Sequence, residues 1–249
     1  MSSLPKIAFF DFTSCEGCQL TVIDSLQDHP ELLDAVDIVQ FREASSDKGE
    51  DYLIAFIEGS CTRPSDEERL KAIREQAAIV VALGACAHLG GVNSIRNRQN
   101  LALVRNYVYG DKAAWYDTYE ARPISAVIKV DTVIAGCPID RDDFLKSVKM
   151  LLQGRIPQLP DSPVCIECKL NETVCVYQRG KICLGPIING GCNAICPTYG
   201  DGCEGCRGMI PNPNIDSLKE VMIEHGLDND AIETKLTMFL TYQMTEREN

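Results

Sequence analysis

Eight of the thirteen cysteines in this chain fall between Cys165 and Cys206, punctuated by glycine and proline and with almost no regular periodicity. A stretch of that kind buries too little side chain to offset the entropy of ordering it, so something other than packing has to hold its shape. The spacing is Cys165-x2-Cys168-x6-Cys175-x7-Cys183, then Cys192-x3-Cys196-x6-Cys203-x2-Cys206. Two sets of four thiolates are what two iron–sulfur clusters, or two zinc ions, require. Which sulfurs pair within each set stays open, because cluster ligands can interleave along a chain.

The other five cysteines occupy a different kind of sequence. From Lys6 to about Gly154 short apolar runs alternate with amphipathic ones. The strand candidates are Lys6 to Phe12, Ala35 to Phe41, Tyr52 to Ile57, Ala78 to Leu83 and Thr132 to Ala135. The helix candidates are Gln19 to Gln27, Ser65 to Gln76, Asn100 to Tyr107 and Asp140 to Gln153. The first helix puts Leu20, Val22, Ile23 and Leu26 largely on one face. In the second, Ser65 can cap and Glu68 close a capping box; the last is capped by Asp140 and stopped by Gly154. This is the pattern of a doubly wound α/β domain, in which ligands gather outside the carboxyl ends of the strands. The cysteines obey that rule. Cys15 and Cys18 follow the first strand, Cys61 the third, Cys86 the fourth and Cys137 the fifth. Cys15, Cys18, Cys86 and Cys137 form a third set of four, leaving Cys61 over as a small buried hydrophobe.

Composition narrows the alternatives. With 36 acidic against 24 basic residues and a net charge of −12, and no basic cluster, nucleic-acid binding is disfavoured. The longest weakly polar stretch, Ala77 to Ala87, is far shorter than the roughly 20 residues of a membrane helix. The N-terminus enters the first strand without a signal core or twin arginine, which leads us to expect a cytoplasmic protein. In that compartment thiols stay reduced, and a chain of this size folds without staples, so a disulfide framework is not the explanation for thirteen cysteines. No glycine-rich phosphate loop and no nucleophile–base pairing occurs. A Pro-rich segment from Arg155 to Pro163 divides the chain into 1–154 and 155–249. Two amphipathic helices, Ile215 to His225 and Asn229 to about Tyr242, follow the cysteine-rich stretch.

Four further features carry two readings each. Glu58 either relays protons or caps the neighbouring loop. His88 either hydrogen-bonds a cluster sulfide or lies at a subunit surface. Glu16 is a helix-start carboxylate or a polar group at a docking face. Asp66-Glu67-Glu68 reads as a solvated charge run.

Ser14-Cys-Glu-Gly-Cys18, Glu58-Gly59, Leu83-Gly-Ala-Cys-Ala-His-Leu-Gly-Gly91, Ala135-Gly-Cys-Pro138, Cys183-Leu-Gly-Pro186, Cys192-x3-Cys196-Pro197 and Cys203-Glu-Gly-Cys206, in this order, resemble the small subunits of [NiFe] hydrogenases along nearly the whole chain. The resemblance implies a flavodoxin-like domain in which Cys15, Cys18, Cys86 and Cys137 hold a proximal [4Fe–4S] cluster facing the nickel–iron centre of a separate large subunit. It further implies a medial cluster on Cys192, Cys196, Cys203 and Cys206 and a distal one on Cys165, Cys168, Cys175 and Cys183. Two positions depart from the periplasmic members: Cys165 stands where those have histidine, and Cys196 is an additional medial cysteine. All three clusters are therefore expected to be [4Fe–4S]. The pattern is closest to cytoplasmic, multimeric enzymes of the sulfhydrogenase, NAD(P)-coupled type, whose small subunit relays electrons to further iron–sulfur and flavin subunits and has no active site of its own. The same relay feeding a heterodisulfide reductase or a deazaflavin module is the related alternative, and a zinc-stabilised interaction protein is the alternative of a different class. A chain of this size is roughly 45 Å across, too wide for one electron hop, so spaced relays suit it independently.

Overall fold

The computed structural model describes residues 4–248. Five strands, β1 (Lys6–Asp11), β2 (Asp37–Phe41), β3 (Ile54–Glu58), β4 (Ile79–Leu83) and β5 (Thr132–Ile134), form one parallel sheet in the order β2-β1-β3-β4-β5. Strands β1 and β5 end one residue before their apolar runs, β2, β3 and β4 begin one or two residues later than theirs, and β3 runs on to Glu58. The class is α/β and doubly wound, as the alternation implied. Period-two alternation sorts the strand residues onto two faces. Ile7, Phe9, Phe41, Ile54, Phe56, Val81 and Ile134 face one way, against Val22 of α1 (Gly17–Asp28) and Phe144, Leu145 and Val148 of α5 (Arg141–Leu152). Phe9 stacks on Phe41 and Phe56 with centroids 4.5 and 4.8 Å apart. Ala8, Phe10, Ala55, Ile57, Val80 and Ala82 face the other way, against Leu70 and Ile73 of α2 (Pro64–Gln76).

Three local expectations need correction. Leu20 does not join the buried face of α1; it is 52% exposed. Ser65 does not cap α2, which begins at Pro64; instead Asp66 reaches back to accept the Thr62 N–H at 3.0 Å. Nor is the acidic run simply solvated: Asp66 is buried and paired with Arg63, and Glu67 accepts from Tyr119 and Arg122. Asp140 caps α5 as expected, accepting from Asp143 N–H at 3.0 Å. The stretch after β4 is helical from its first residue, α3 (Gly84–Leu89), and α4 (Leu101–Tyr109) starts on an Asn100 cap.

Beyond Gly154 the chain builds a second core that its lack of periodicity concealed. Val164 of α6 (Val164–Leu170) and the irregular residues Leu184, Ile187, Ile188 and Met209 are buried among Leu218 and Met222 of α8 (Ile215–Glu224) and Leu236 and Leu240 of α9 (Asn229–Glu248). A single turn, α7 (Ile195–Thr198), interrupts the irregular stretch. This core also takes in Ala85 and Leu89 of α3. Helix α9 packs back along the 3-10 stretch Gly91–Arg98, where Arg98 Nη1 donates to Thr237 Oγ1 at 2.8 Å and Nη2 pairs with Glu233 at 2.6 Å.

Candidate metal centres

The first four cysteines come from three strand-end loops that the backbone laces together. Thr13 and Ser60 exchange backbone hydrogen bonds, joining the ends of β1 and β3, and Asn93 Nδ2 donates to Thr13 O at 2.8 Å and to Ser60 Oγ at 2.9 Å. Ala85 N–H donates to Gly136 O at 2.7 Å, tying the turn that carries Cys86 to the one that carries Cys137. Glu16 takes a left-handed φ of 64° between Cys15 and Cys18, and its carboxylate accepts from Arg42 at 2.9 Å. It thus forms a surface ion pair rather than a cap. Gly84, at φ +81°, allows the closest approach: a Cβ there would lie 2.3 Å from Cys18 Sγ.

The four thiols act on one another electrostatically. Burial pushes the Cys86 thiol up to about 12, with the neighbouring Cys137 and Cys15 adding to it. Burial and the Glu58 carboxylate push Cys18 up further. Cys137 is raised by burial, then by Cys15 and Glu58. Thiolates in such a place need a positive charge to balance them, which a metal or cluster supplies. Glu58, 2% exposed, accepts from Cys18 N–H at 3.2 Å and Gln19 N–H at 2.9 Å. It therefore caps the start of α1 from the end of β3. His88 is half-buried against the C-terminal half, where a Cβ at Gly208 would lie 3.1 Å from its Nε2. Burial and the Arg207 cation lower it to about 4.

The eight later cysteines fall into two neighbourhoods. Cys165 is pushed up to about 11 by burial and then by Cys183, Cys168 and Cys175. Cys206 is pushed up to about 12 by burial and then by Cys192, Cys196 and Cys137. Burial raises Cys203, with Cys183, Cys206 and Cys192 nearby. The neighbourhoods are in contact: Cys203 N–H donates to Cys183 Sγ at 3.2 Å, and Gly185 N–H donates to the same sulfur at 3.4 Å. Cys137 of the first set also adds to the rise at Cys206. Among the described residues no three His, Cys, Asp or Glu side chains close on a single-ion point.

Cys61 stands apart from all three. Its Sγ is 3.0 Å from Tyr119 OH, whose proton goes to Glu67 Oε1 at 2.8 Å, leaving the thiol to donate. Two residues of these neighbourhoods escaped sequence reasoning. Glu167, between Cys165 and Cys168, accepts from Ala194 N–H at 2.9 Å and from Gly191 N–H, holding the loop on which Cys192 sits. Arg207, beside Cys206, is 2% exposed and hydrogen-bonds both halves of the chain. Only a carboxylate inside a Cys-x-x-Cys pair, which recurs at Glu16, Glu167 and Glu204, could have signalled the first. A single arginine gives no signal for the second.

Residues 15–151 match the family described as NADH ubiquinone oxidoreductase, 20 Kd subunit. The chain is 35% identical to sulfhydrogenase 2 subunit delta of Pyrococcus furiosus, over 94% of this chain and 98% of that one. It is 31% identical to the delta subunit of the NAD-reducing hydrogenase HoxS of Cupriavidus necator, over 63% of this chain and 83% of that one. Among solved structures it resembles a subunit of an NAD+-reducing [NiFe]-hydrogenase in the H2-reduced state, with a TM-score of 0.56, 26% identity, and coverage of 64% of this chain and 96% of that one. A [NiFeSe]-hydrogenase chain of Desulfomicrobium baculatum shares the fold, with a TM-score of 0.58 at 13% identity over 86% of this chain and 97% of that one.

Proposed function

Because the chain belongs to the NADH ubiquinone oxidoreductase 20 kDa subunit family and is an electron-transfer small subunit of a [NiFe] hydrogenase, we propose that it carries three [4Fe–4S] clusters in series. Cys15, Cys18, Cys86 and Cys137 hold the proximal cluster, Cys192, Cys196, Cys203 and Cys206 the medial, and Cys165, Cys168, Cys175 and Cys183 the distal. The supporting observation is the gathering of twelve thiols into three neighbourhoods, the later two in contact through the Cys203 N–H on Cys183 Sγ and the loops of the first and middle ones joined by the Arg207 guanidinium on Ala135 O and Gly190 O. Each cluster supplies a one-electron store when bound. The chain's own residues do the rest: thiolates fix position, burial around Cys18 and Cys203 keeps water out, and the N–H groups of Gly185 and Cys203 offset negative charge on Cys183.

Cys15 and Cys137 are exposed, and the exposed Leu20 follows Cys18 on α1. That surface suits the large subunit, where H2 is oxidised or protons reduced. Cys175 of the distal set is exposed as well, suiting an iron–sulfur and flavin partner linked to NAD(P). The enzyme is cytoplasmic in this proposal, and the chain divides into 1–154, bearing the proximal cluster, and 155–249, bearing the other two. No helix among the described residues is long and apolar enough to cross a membrane.

Iron and acid-labile sulfide per chain, combined with electron paramagnetic resonance during reductive titration, test this. About twelve irons are expected; fewer than about eight, or a colourless protein with stoichiometric zinc, would overturn it. Cys137→Ala should remove one signal and about four irons, whereas Cys61→Ala should remove none. Loss of iron in the second variant would return Cys61 to the ligand sets.

A further inference from the structure

We propose that Arg207 is the positioning cation of the middle cysteine set: it fixes that set against the first one and raises the potential at which it takes up an electron. The inference rests on the three-cluster assignment above. Arg207 is among the largest fully buried side chains of the molecule, at 2% exposure. Its guanidinium touches the backbone of two ligand loops and one carboxylate. Nε donates to Gly190 O at 2.7 Å, two residues before Cys192; Nη1 donates to Ala135 O at 2.8 Å, two residues before Cys137; Nη2 pairs with Asp143 Oδ2 at 3.0 Å. The residue itself follows Cys206. One rigid fork therefore joins the loops of the first and middle sets, a job for which a lysine's single point charge has the wrong shape.

Space for the fork is built in. Gly191 has φ +104°, and a Cβ there would lie 2.3 Å from Arg207 Nη2. The charge, however, is only partly balanced. Two of its partners are neutral carbonyls, and Asp143 lies at the rim with 25% of its side chain exposed. A buried cation is costly unless countered; Arg207 adjoins Cys206 in the chain and its Nε holds Gly190 O, two residues before Cys192, so thiolates at these two positions would be counter-charges close to it. An electron added to a centre held by those sulfurs adds negative charge beside the cation, so the reduced state gains more than the oxidised one. Asp143 opposes this effect.

The test is a redox titration of the iron-loaded complex, following by electron paramagnetic resonance the signal magnetically coupled to both others. Iron content comes first: a wild-type chain with fewer than three clusters refutes the cluster assignment, whereas the outcomes below concern Arg207 alone. In Arg207→Met the reduced-to-oxidised ratio of the middle signal at a fixed potential should fall about tenfold, about 59 mV for a one-electron couple. In Asp143→Asn, which keeps a hydrogen bond to the fork but removes the opposing charge, the ratio should rise, about threefold. Arg207→Lys should keep the potential nearer wild type than Arg207→Met does. Full iron with an unmoved middle potential in Asp143→Asn, or an equal shift of all three signals, overturns the proposal. Asp143 stands at the rim, so its variant carries the test even if Arg207→Met fails to assemble.

Discussion

At the scale of single residues, the positions that matter most are the ones with the least side chain. Gly84 leaves no room for even a methyl beside Cys18 Sγ and holds φ at +81°. Gly84→Ala should cost about 2–4 kcal/mol, combining left-handed strain with overpacking. It should also strip one cluster, read as a loss of about four irons and of the signal that Cys137→Ala removes. Retention of all iron would show that the loop has slack. The candidate ligands stood out in the sequence as cysteines at strand ends, and the thiols of Cys86, Cys137 and Cys15 are close enough there to act on one another. Glu58 was legible as a residue, but its cap on the Cys18 and Gln19 N–H groups shows only in the hydrogen bonds. Leu20 was misjudged because helical periodicity alone does not tell a packed face from one left open to a partner.

At the scale of elements, the sheet and its long helices were readable from period and caps, and the errors cluster where a short motif competes with a stronger local rule. Pro64 at the first position of α2 forces the start one residue before Ser65, and Asp66 accepts the Thr62 N–H just ahead of the helix. Helix α3 has only six residues, too few to show a period, although it carries Cys86. For α5 the cap and the helix agree, so Asp140→Ala should lower stability by about 1 kcal/mol, measured by thermal unfolding of the loaded protein. Cluster content should not change. A loss of iron instead would mean that α5 transmits its start to Cys137, three residues upstream of the cap.

At the scale of the whole molecule, two cores meet under the first ligand set. The second is assembled from apolar residues scattered without a period, such as Val164, Leu184 and Ile188, which is why sequence patterns gave no hint of it. It qualifies the idea that metal alone shapes the C-terminal half. Hydrogen exchange on iron-stripped and iron-loaded protein should separate the two contributions. Removing iron should speed exchange across residues 165–206 and in the loops at 13–18 and 136–139, while β1, β3, β4 and much of α9 stay protected. Uniform loss of protection would make the clusters the nucleus of both cores. Helix α9 is the strap across this junction: Arg98 is pinned to Glu233 and Thr237, and Gln243 accepts the Met209 N–H at 3.1 Å. Hence α9 is an unsuitable place for a truncation or an inserted tag. Cutting into that helix would unlatch the wall behind Cys86, so damage there would surface first at the cysteines of the strand-end loops.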